Sequence, residues 1–151
     1  MCDGKLLSCS EMLGSDGRLV YVEYGAGKAG LSSFVAQKLA ELHPDAVYDK
    51  DKVKFLVIDR DSRRFKKDKY VKGSGFEVER QKFDIADFDL CKYTALKENP
   101  KVCGIAKHLC GGATDLALTS FEKLSQDQLD GLSMATCCHH TCDTKIVIRA
   151  P

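Results

Sequence analysis

The sequence predicts an α/β domain built on a mainly parallel sheet, because short β-branched runs alternate with longer stretches of helical periodicity. The chain has 151 residues, of which 44% are apolar and only 3 are proline, so a single globular domain is expected. The most reactive side chains follow the apolar runs, at the sheet edge where open parallel sheets bind their ligands.

The first predicted unit is a strand, a tight turn and a helix. Residues 18–23 (RLVYVE) form a short apolar run that ends at a glycine-rich turn. Apolar residues then recur at helical spacing, at Leu31, Phe34, Val35, Leu39 and Leu42. This order of elements is typical of a βαβ fold.

Four further strands are predicted along the rest of the chain, at 54–58, 76–83, 101–107 and 131–137. A charged segment that ends near Gly73 follows the second run, and a helix capped by Thr114 or Asp115 follows the fourth. The apolar positions expected on that helix are Leu116, Leu118, Phe121 and Leu124. A last β-like run lies at 145–149, so we expect the fifth strand to lie at a sheet edge or to pair only with this run.

The glycine-rich turn after the first strand, Glu23-Tyr24-Gly25-Ala26-Gly27-Lys28-Ala29-Gly30, is the first candidate binding element. Glycine has no Cβ, so this backbone can approach a ligand closely. The same G-x-G-x-x-G spacing occurs in dinucleotide-binding proteins, where an acid follows about 20 residues later and the turn receives a pyrophosphate. Here Asp59 comes much later, and Glu23 would repel a pyrophosphate.

An acid beside the turn suits a cofactor with a cationic amino-acid end, and S-adenosylmethionine has one. Asp59, after the second run, can accept both ribose hydroxyls, and Asp84, after the third, can accept an adenine amino group. The candidate cofactor-binding residues are Glu23, Gly25, Gly27, Asp59, Asp84 and Ile85. The alternative is a tight turn with a solvated glutamate and two aspartates that cap loops.

The segment Lys107-His108-Leu109-Cys110-Gly111-Gly112 leaves the fourth strand where a substrate would meet a transferred methyl group. Transfer to a hydroxyl needs orientation of the substrate and removal of a proton. Lys107 or His108 can accept that proton, the lysine only if burial or neighbouring charge lowers its pKa. A structural role for either residue is the alternative.

A cysteine- and histidine-rich cluster follows the fifth run: Cys137, Cys138, His139, His140 and Cys142. Thiolates and imidazoles are the usual ligands of zinc. Adjacent residues on an extended chain point to opposite faces, however, and no second C-x-x-C or H-x-x-x-H motif is present. We therefore expect no metal and take His139 and His140 as candidate catalytic residues, with an active-site wall or a buried turn as the other interpretations.

Positive charge is concentrated in the segment 60–72. Seven cations face only Asp61 and Asp68 there, with Phe65 and Tyr70 interleaved: Arg60, Arg63, Arg64, Lys66, Lys67, Lys69 and Lys72. Such a patch can neutralise the phosphates of a structured RNA without reading its sequence. We take Arg60, Arg63, Arg64, Lys66 and Lys67 as candidate RNA-binding residues, and a solvated helix face is the alternative.

The overall composition bears on whether the protein binds nucleic acid, spans a membrane or is secreted. Lys plus Arg total 23 against 22 for Asp plus Glu, so only a local concentration of charge favours a nucleic-acid partner. No stretch approaches the roughly 18 uninterrupted apolar residues of a membrane helix, and the first 17 residues resemble neither a signal nor a transit peptide. We expect an intracellular protein of the nucleus or cytoplasm, without a membrane partner, whose 8 cysteines are reduced.

Five motifs together carry a family resemblance: VEYGAGKAGLS, VIDRDSRRFKKD, DIADFDL, GIAKHLCGGATDLAL and MATCCHHTC. Over most of residues 20–142 the chain resembles the eukaryotic tRNA 2′-O-ribose methyltransferase family known as tRNA methyltransferase thirteen. The glycine turn is shared by many methyltransferases, whereas KHLCGGATDLAL followed by CCHHTC is far more particular. The resemblance implies a Rossmann-like class I fold that uses S-adenosylmethionine to methylate a ribose 2′-hydroxyl in the acceptor stem of tRNA.

The resemblance also implies a division of the chain. We expect an N-terminal extension at 1–17, a partial methyltransferase domain at 18–143 and a divergent tail at 144–151. Family members look longer, with zinc modules before the catalytic domain and further C-terminal strands, so we expect this chain to be only marginally stable alone. The rival functions are a non-catalytic RNA- or protein-binding remnant and, from the glycine spacing, an NAD-linked protein.

Overall fold

Five strands form one parallel sheet in the computed structural model, which describes residues 17–47, 52–61, 66–93, 96 and 99–136. The strands are β1 (Leu19–Tyr24), β2 (Val53–Ile58), β3 (Glu77–Gln81), β4 (Lys101–Lys107) and β5 (Leu129–Ala135). Their order across the sheet is β3-β2-β1-β4-β5, and every neighbouring pair is parallel. The α/β class and the parallel sheet predicted from the sequence are therefore confirmed.

Three α-helices are described: α1 (Gly30–Leu42), α2 (Asp68–Gly73) and α3 (Gly112–Glu122). Short 3-10 helices occupy Pro44–Val47, Ile85–Asp87 and Leu90–Lys92. Within the described ranges, no helix is long and apolar enough to cross a membrane.

Side chains alternate along β1 and so divide the core between the two faces of the sheet. Leu19 and Tyr21 pack with Ala36 and Leu39 of α1, and the Tyr21 ring stacks on Phe55 at 5.1 Å. On the other face, a second cluster joins the strands to α3; it includes Val20, Val22, Tyr24, Ala117 and Phe121. The sheet therefore lies between two layers of helix.

The predicted strand bounds are close for four strands and displaced for the last. β4 covers 101–107 as predicted, whereas β5 runs from Leu129 to Ala135 and not from 131 to 137. Leu129 pairs with Val102, and the register shifts between Val102 and Cys103. Asp130 inside the strand hid its start, because aspartate does not favour a β-strand.

The apolar face predicted for α1 is partly wrong. Phe34 and Leu42 are 57% and 56% exposed, whereas Ser32 and Ser33 are buried. Ser32 tolerates burial because its N–H and its hydroxyl both donate to the carboxylate of Glu23 on β1. Periodicity alone could not find this position, since the partner lies on another element.

The predicted start of α3 is also wrong. The helix begins at Gly112 and its N-cap is Gly111, with φ 62° and ψ −142°, not Thr114 or Asp115. Only glycine adopts that conformation readily, so the chain turns from β4 into α3 at this residue. Thr114 instead donates its hydroxyl to the carbonyl of Leu109 at 3.0 Å. Of the apolar residues predicted for this helix, Phe121 and Leu124 are buried and Leu118 is exposed.

β5 lies at the edge of the sheet among the described residues, where it pairs with β4 alone. Its side chains are mostly exposed or half-buried. The run 145–149, which we expected to pair with it, lies outside the described residues, as do the predicted extension before residue 17 and the tail.

We expect Gly104→Ala to destabilise the fold by about 1–3 kcal/mol through overpacking. A Cβ at Gly104 would lie 2.4 Å from Leu132 Cδ1 and 2.6 Å from Phe121 Cζ, and the buried Phe121 ring has little room to move. Urea unfolding measures the loss. Gly131→Ala on the adjacent strand is the matched control, because its Cβ would meet only Cys103 Sγ at 3.8 Å. Equal free energies of unfolding for the two variants would contradict this packing.

Candidate functional site

The turn between β1 and α1 has a backbone that requires glycine. Gly25 and Gly27 have φ values of 63° and 51°, in the left-handed region where other residues are strained. A Cβ at Gly25 would also lie 3.0 Å from Leu109 Cδ1, on the loop after β4. The turn therefore brings bare backbone to the carboxyl end of the sheet, close to the β4 loop.

Glu23 holds the start of α1. The N-cap of this helix is Ala29, which has no side-chain acceptor. The Glu23 carboxylate is buried and accepts the Ser32 N–H at 3.0 Å, together with the Ser32 hydroxyl, so it caps the helix from the neighbouring strand. Burial raises the pKa of Glu23, although the bonds from Ser32 oppose that rise.

Asp59 holds the turn from the end of β2. One of its carboxylate oxygens accepts the Gly27 N–H at 2.7 Å and the other accepts the Asp61 N–H at 2.8 Å. A carboxylate has about four acceptor positions, so these two bonds fix the group while leaving it able to accept from a ligand.

A cleft of about 560 Å³ opens at the carboxyl ends of the strands. The residues that line it come from four strand ends and include Gly25, Asp59, Arg60, Asp84, Ile85 and His108. The chain runs outward from β1 in both directions across the sheet, to β2 and to β4. Open α/β sheets bind ligands at this switch point, so the cleft is the candidate binding site.

Asp84 stands at the wall of the cleft that follows β3. One carboxylate oxygen accepts the Ala86 N–H at 3.1 Å and so caps the short helix Ile85–Asp87. The other lies 4.0 Å from the Arg60 guanidinium, whose side chain is 83% exposed. The Asp84 carboxylate is therefore anchored on one side and accessible on the other.

His108 lines the opposite wall. Its φ is 63°, in the left-handed region, and its N–H donates to the carbonyl of Ala135 at the end of β5 at 2.9 Å. The side chain is exposed and borders the cleft. Lys107 is exposed as well but does not line the cleft.

A protein-family model described as Methyltransferase TRM13 matches residues 5–149. The chain belongs to this family. The family predicted from the sequence motifs is thereby confirmed.

Curated proteins named as TRM13 tRNA modification enzymes are similar to the chain. A "tRNA:m(4)X modification enzyme TRM13" of Scheffersomyces stipitis is 34% identical over 156 residues, which cover 93% of this chain and 35% of the relative. A protein of the same name from Debaryomyces hansenii is 37% identical, with 81% and 30% covered. The human "tRNA:m(4)X modification enzyme TRM13 homolog" is 32% identical, with 83% and 33% covered.

The chain spans about a third of the length of these curated relatives. No solved structure matches it at a significant level.

The described structure of this TRM13-family chain brings together part of the predicted site. Gly25, Asp59, Asp84 and Ile85 line the cleft, whereas Glu23 and Gly27 lie in or behind the turn that shapes it. Arg60, predicted to bind RNA, borders the same cleft. Four predicted residues lie outside the described ranges and stay predictions: Arg63, Arg64, His139 and His140.

The cysteines of the C-terminal cluster, Cys137, Cys138 and Cys142, also lie outside the described residues. Across the described ranges, no three histidine, cysteine or acidic side chains come together as metal ligands. The expectation of no metal at the cluster therefore stays untested.

Two residues at the site were missed from the sequence. Phe83 is 45% exposed at the rim of the cleft, and its ring lies 5.5 Å from that of Phe88, which packs in turn against buried Tyr24. Its position next to Asp84 was the available signal. Arg80, on β3, donates to Asp68 and to the Gly27 carbonyl; nothing in the local sequence marks it, because its partners lie on other elements.

The basic segment continues the surface beside the turn. Lys66 and Lys67 are exposed, and the Lys67 N–H donates to the carbonyl of Lys28 at 3.2 Å. Asp68 is paired with Arg80 at 2.7 Å, with both side chains largely buried. Asp68 therefore does not offset the positive charge of the segment, because Arg80, which lies outside the segment, already neutralises it.

We expect Glu23→Gln to gain stability relative to the wild type as pH rises from below 4.5 through the raised pKa of Glu23. Because burial raises the pKa of Glu23, the folded protein keeps this proton to higher pH than the unfolded chain. The contribution of Glu23 is therefore largest below its ordinary value of 4.5 and declines as pH rises through the raised pKa.

Glutamine keeps an acceptor for Ser32 but carries no charge to desolvate. Denaturant unfolding of both proteins across this pH range measures the difference. If the difference in free energy of unfolding between the two proteins does not change with pH, burial does not raise the pKa of Glu23.

Proposed function

We propose that this chain forms the S-adenosylmethionine-binding part of a tRNA 2′-O-ribose methyltransferase that acts on the acceptor stem. The observation that carries the proposal is the cleft, where accessible carboxylates on two strand ends, Asp59 and Asp84, flank the bare backbone of Gly25. The family model describes a methyltransferase, and the curated relatives are named as tRNA modification enzymes.

The acceptors at these strand ends fit an adenosyl cofactor. Among the described residues Asp59 accepts from Gly27 and Asp61, and the remaining acceptor positions of its carboxylate can accept from two ribose hydroxyls. One carboxylate oxygen of Asp84 caps the short helix by accepting the Ala86 N–H, and the other can accept from an adenine amino group, next to the apolar Ile85. Glu23 acts on the ligand only through the turn, since it does not line the cleft.

The position of Asp59 does not by itself distinguish this cofactor from a dinucleotide. Its long sequence separation from the turn reflects the length of α1 and of the connection to β2, and in space it lies beside Gly27. The family match favours a methyl donor. Calorimetry with S-adenosylmethionine and with NAD separates the two.

Methyl transfer to a ribose requires a base and an aligned hydroxyl. Bound S-adenosylmethionine would supply an electrophilic methyl group, and the part of this chain would be to orient the ribose and to accept the proton of its 2′-hydroxyl. Among the described candidates, His108 is placed for this role because its side chain borders the cleft. Lys107, His139 and His140 remain the other candidates.

The basic segment supports an RNA substrate. Lys66 and Lys67 present positive charge beside the glycine turn, and the Lys69 ammonium lies 5.1 Å from the centre of the exposed Tyr70 ring. Charges of this kind hold phosphates without reading bases. A tRNA substrate would place the protein in the nucleus or cytoplasm.

Methyl transfer from S-adenosylmethionine to unmodified tRNA tests the proposal directly. We expect label from the methyl group to appear in the acceptor stem, in nucleotides that resist alkaline cleavage on their 3′ side because the 2′-oxygen is blocked. RNA binding without incorporation, under conditions in which a full-length relative is active, would favour a non-catalytic remnant. Incorporation into a base would contradict ribose specificity.

We expect Gly25→Val and Asp59→Ala each to weaken S-adenosylmethionine binding at least a hundredfold, the loss of roughly 3 kcal/mol. The valine side chain would enter the space next to Leu109, and the alanine would remove the ribose acceptor and release the Gly27 N–H. Isothermal calorimetry measures the affinity. Asp127→Ala, at an exposed turn, is the control that should bind as the wild type does. If both site variants bind S-adenosylmethionine with wild-type affinity, this cleft is not the binding site of the cofactor.

We expect charge reversal at Arg63, Arg64, Lys66 and Lys67 to weaken tRNA binding and to flatten its salt dependence by about 1 in slope per lost phosphate contact. S-adenosylmethionine affinity should not change, because Lys66 and Lys67 do not line the cleft and the hydrogen bond from Lys67 to the turn is made by its backbone N–H. Filter binding over a range of salt concentrations measures the slope. Charge reversal of Lys38, on α1, and of Lys123, after α3, is the control, because both lysines are exposed. If the quadruple variant keeps the wild-type salt slope, the segment is a solvated surface that does not bind tRNA.

A further inference from the structure

Arg80 connects three elements at the back of the glycine turn. Its Nε and Nη2 donate to the two carboxylate oxygens of Asp68 at 2.8 and 2.7 Å, and its Nη1 donates to the carbonyl of Gly27 at 3.2 Å. The side chain extends from β3, two strands away from β1, and only 15% of it is exposed. A buried bidentate pair of this kind fixes the guanidinium in one orientation.

The turn is held by a contact to each of three consecutive peptide groups. The Ala26–Gly27 peptide donates its N–H to Asp59, the Gly27–Lys28 peptide accepts from Arg80, and the Lys28–Ala29 peptide accepts from the Lys67 N–H. The outer two contacts come from the residue after β2 and from the residue before α2. Arg80 holds the middle peptide, which joins Gly27, a residue free to change its backbone angles, to the rest of the turn.

The charge of Arg80 also acts on the acids around the turn. Asp68, Asp59 and Glu23 all interact favourably with its guanidinium, Asp68 most strongly through its hydrogen bonds. Three carboxylates this close would otherwise repel one another across a partly buried region. One guanidinium therefore offsets their charge and orients the peptide that they surround.

We propose that Arg80 is a positioning residue for the cofactor turn: by holding the Gly27 carbonyl from behind, it keeps the Gly25 backbone facing the cleft in a binding-competent orientation. The proposal rests on the proposed function only for the identity of the ligand, S-adenosylmethionine. It assigns Arg80 a part in binding that is separate from its ion pair with Asp68.

The experiment separates the turn contact from the ion pair with two variants of the full chain. Arg80→Gln removes the ion pair and the charge-assisted bond to Gly27. The double exchange Asp68→Arg with Arg80→Asp restores an ion pair between β3 and α2, but a carboxylate at position 80 has no proton to donate to the Gly27 carbonyl. Lys82→Gln, which removes an exposed cation just beyond the same strand, is the matched control.

Amide hydrogen exchange without any cofactor is the first measurement. The reporters are the N–H groups of Gly27 and Ala29, which bond to Asp59 and to the Ala26 carbonyl. In Arg80→Gln and in the exchanged pair we expect both amides to exchange roughly tenfold faster, while those of β4 keep their wild-type rates. Lys82→Gln should exchange as the wild type does.

S-adenosylmethionine affinity and the melting temperature are the second and third measurements. We expect both Arg80 variants to bind the cofactor roughly tenfold more weakly, and the exchanged pair to recover most of the melting temperature lost in Arg80→Gln. Should Arg80→Gln fail to fold, Arg80→Lys, which keeps the charge but loses the fork of donors, takes its place.

Recovery of both exchange rates and affinity in the exchanged pair would overturn the proposal, because the ion pair alone would then account for Arg80. Wild-type exchange at Gly27 in Arg80→Gln would overturn it as well. If the turn amides respond as expected but the wild-type chain binds no S-adenosylmethionine, the positioning role stands and the proposed cofactor fails.

Discussion

The contact between Glu23 and Ser32 is the interaction on which the candidate site depends. Ala29, at the N-cap of α1, cannot accept a hydrogen bond with its side chain, so the first turn of this helix takes its acceptor from β1. A helix end left without such a partner is costly when it is buried. The contact also sets how far α1 begins from the end of β1, and therefore how the glycine turn between them is shaped.

Much of the fold could be predicted because apolar runs are local signals. β4 was predicted to the residue, and the parallel order of elements followed from alternation of strand and helix patterns. The errors lie where a distant partner or a single backbone conformation decides the structure. Ser32 is buried because Glu23 lies opposite, and α3 begins at Gly112 because Gly111 takes a conformation that no periodicity reveals.

The sequence predicted where the acidic residues of the candidate site lie better than it predicted how charged residues pair. Asp59 and Asp84 were found because each follows a strand, and parallel strands bring their carboxyl ends to one edge. Counting charges along 60–72, by contrast, could not show which of these charges are paired or where they lie. Asp68 is neutralised by Arg80 from β3, and Arg60, whose contact with RNA stays a prediction, also borders the cleft. Sequence neighbours share a charge environment only if the fold keeps them together.

The acids of the site are set in place before any ligand arrives. Asp59 is fixed by the N–H groups of Gly27 and Asp61, and Asp84 by that of Ala86, so neither side chain has to be immobilised on binding. Ordering a free side chain costs about 0.5–1.5 kcal/mol, and this cost is met here during folding. Because the bonds that fix Asp59 are the same bonds that shape the turn, a change in the turn alters the acceptor as well. Backbone and carboxylate at this edge of the sheet therefore form one structural unit at the candidate site.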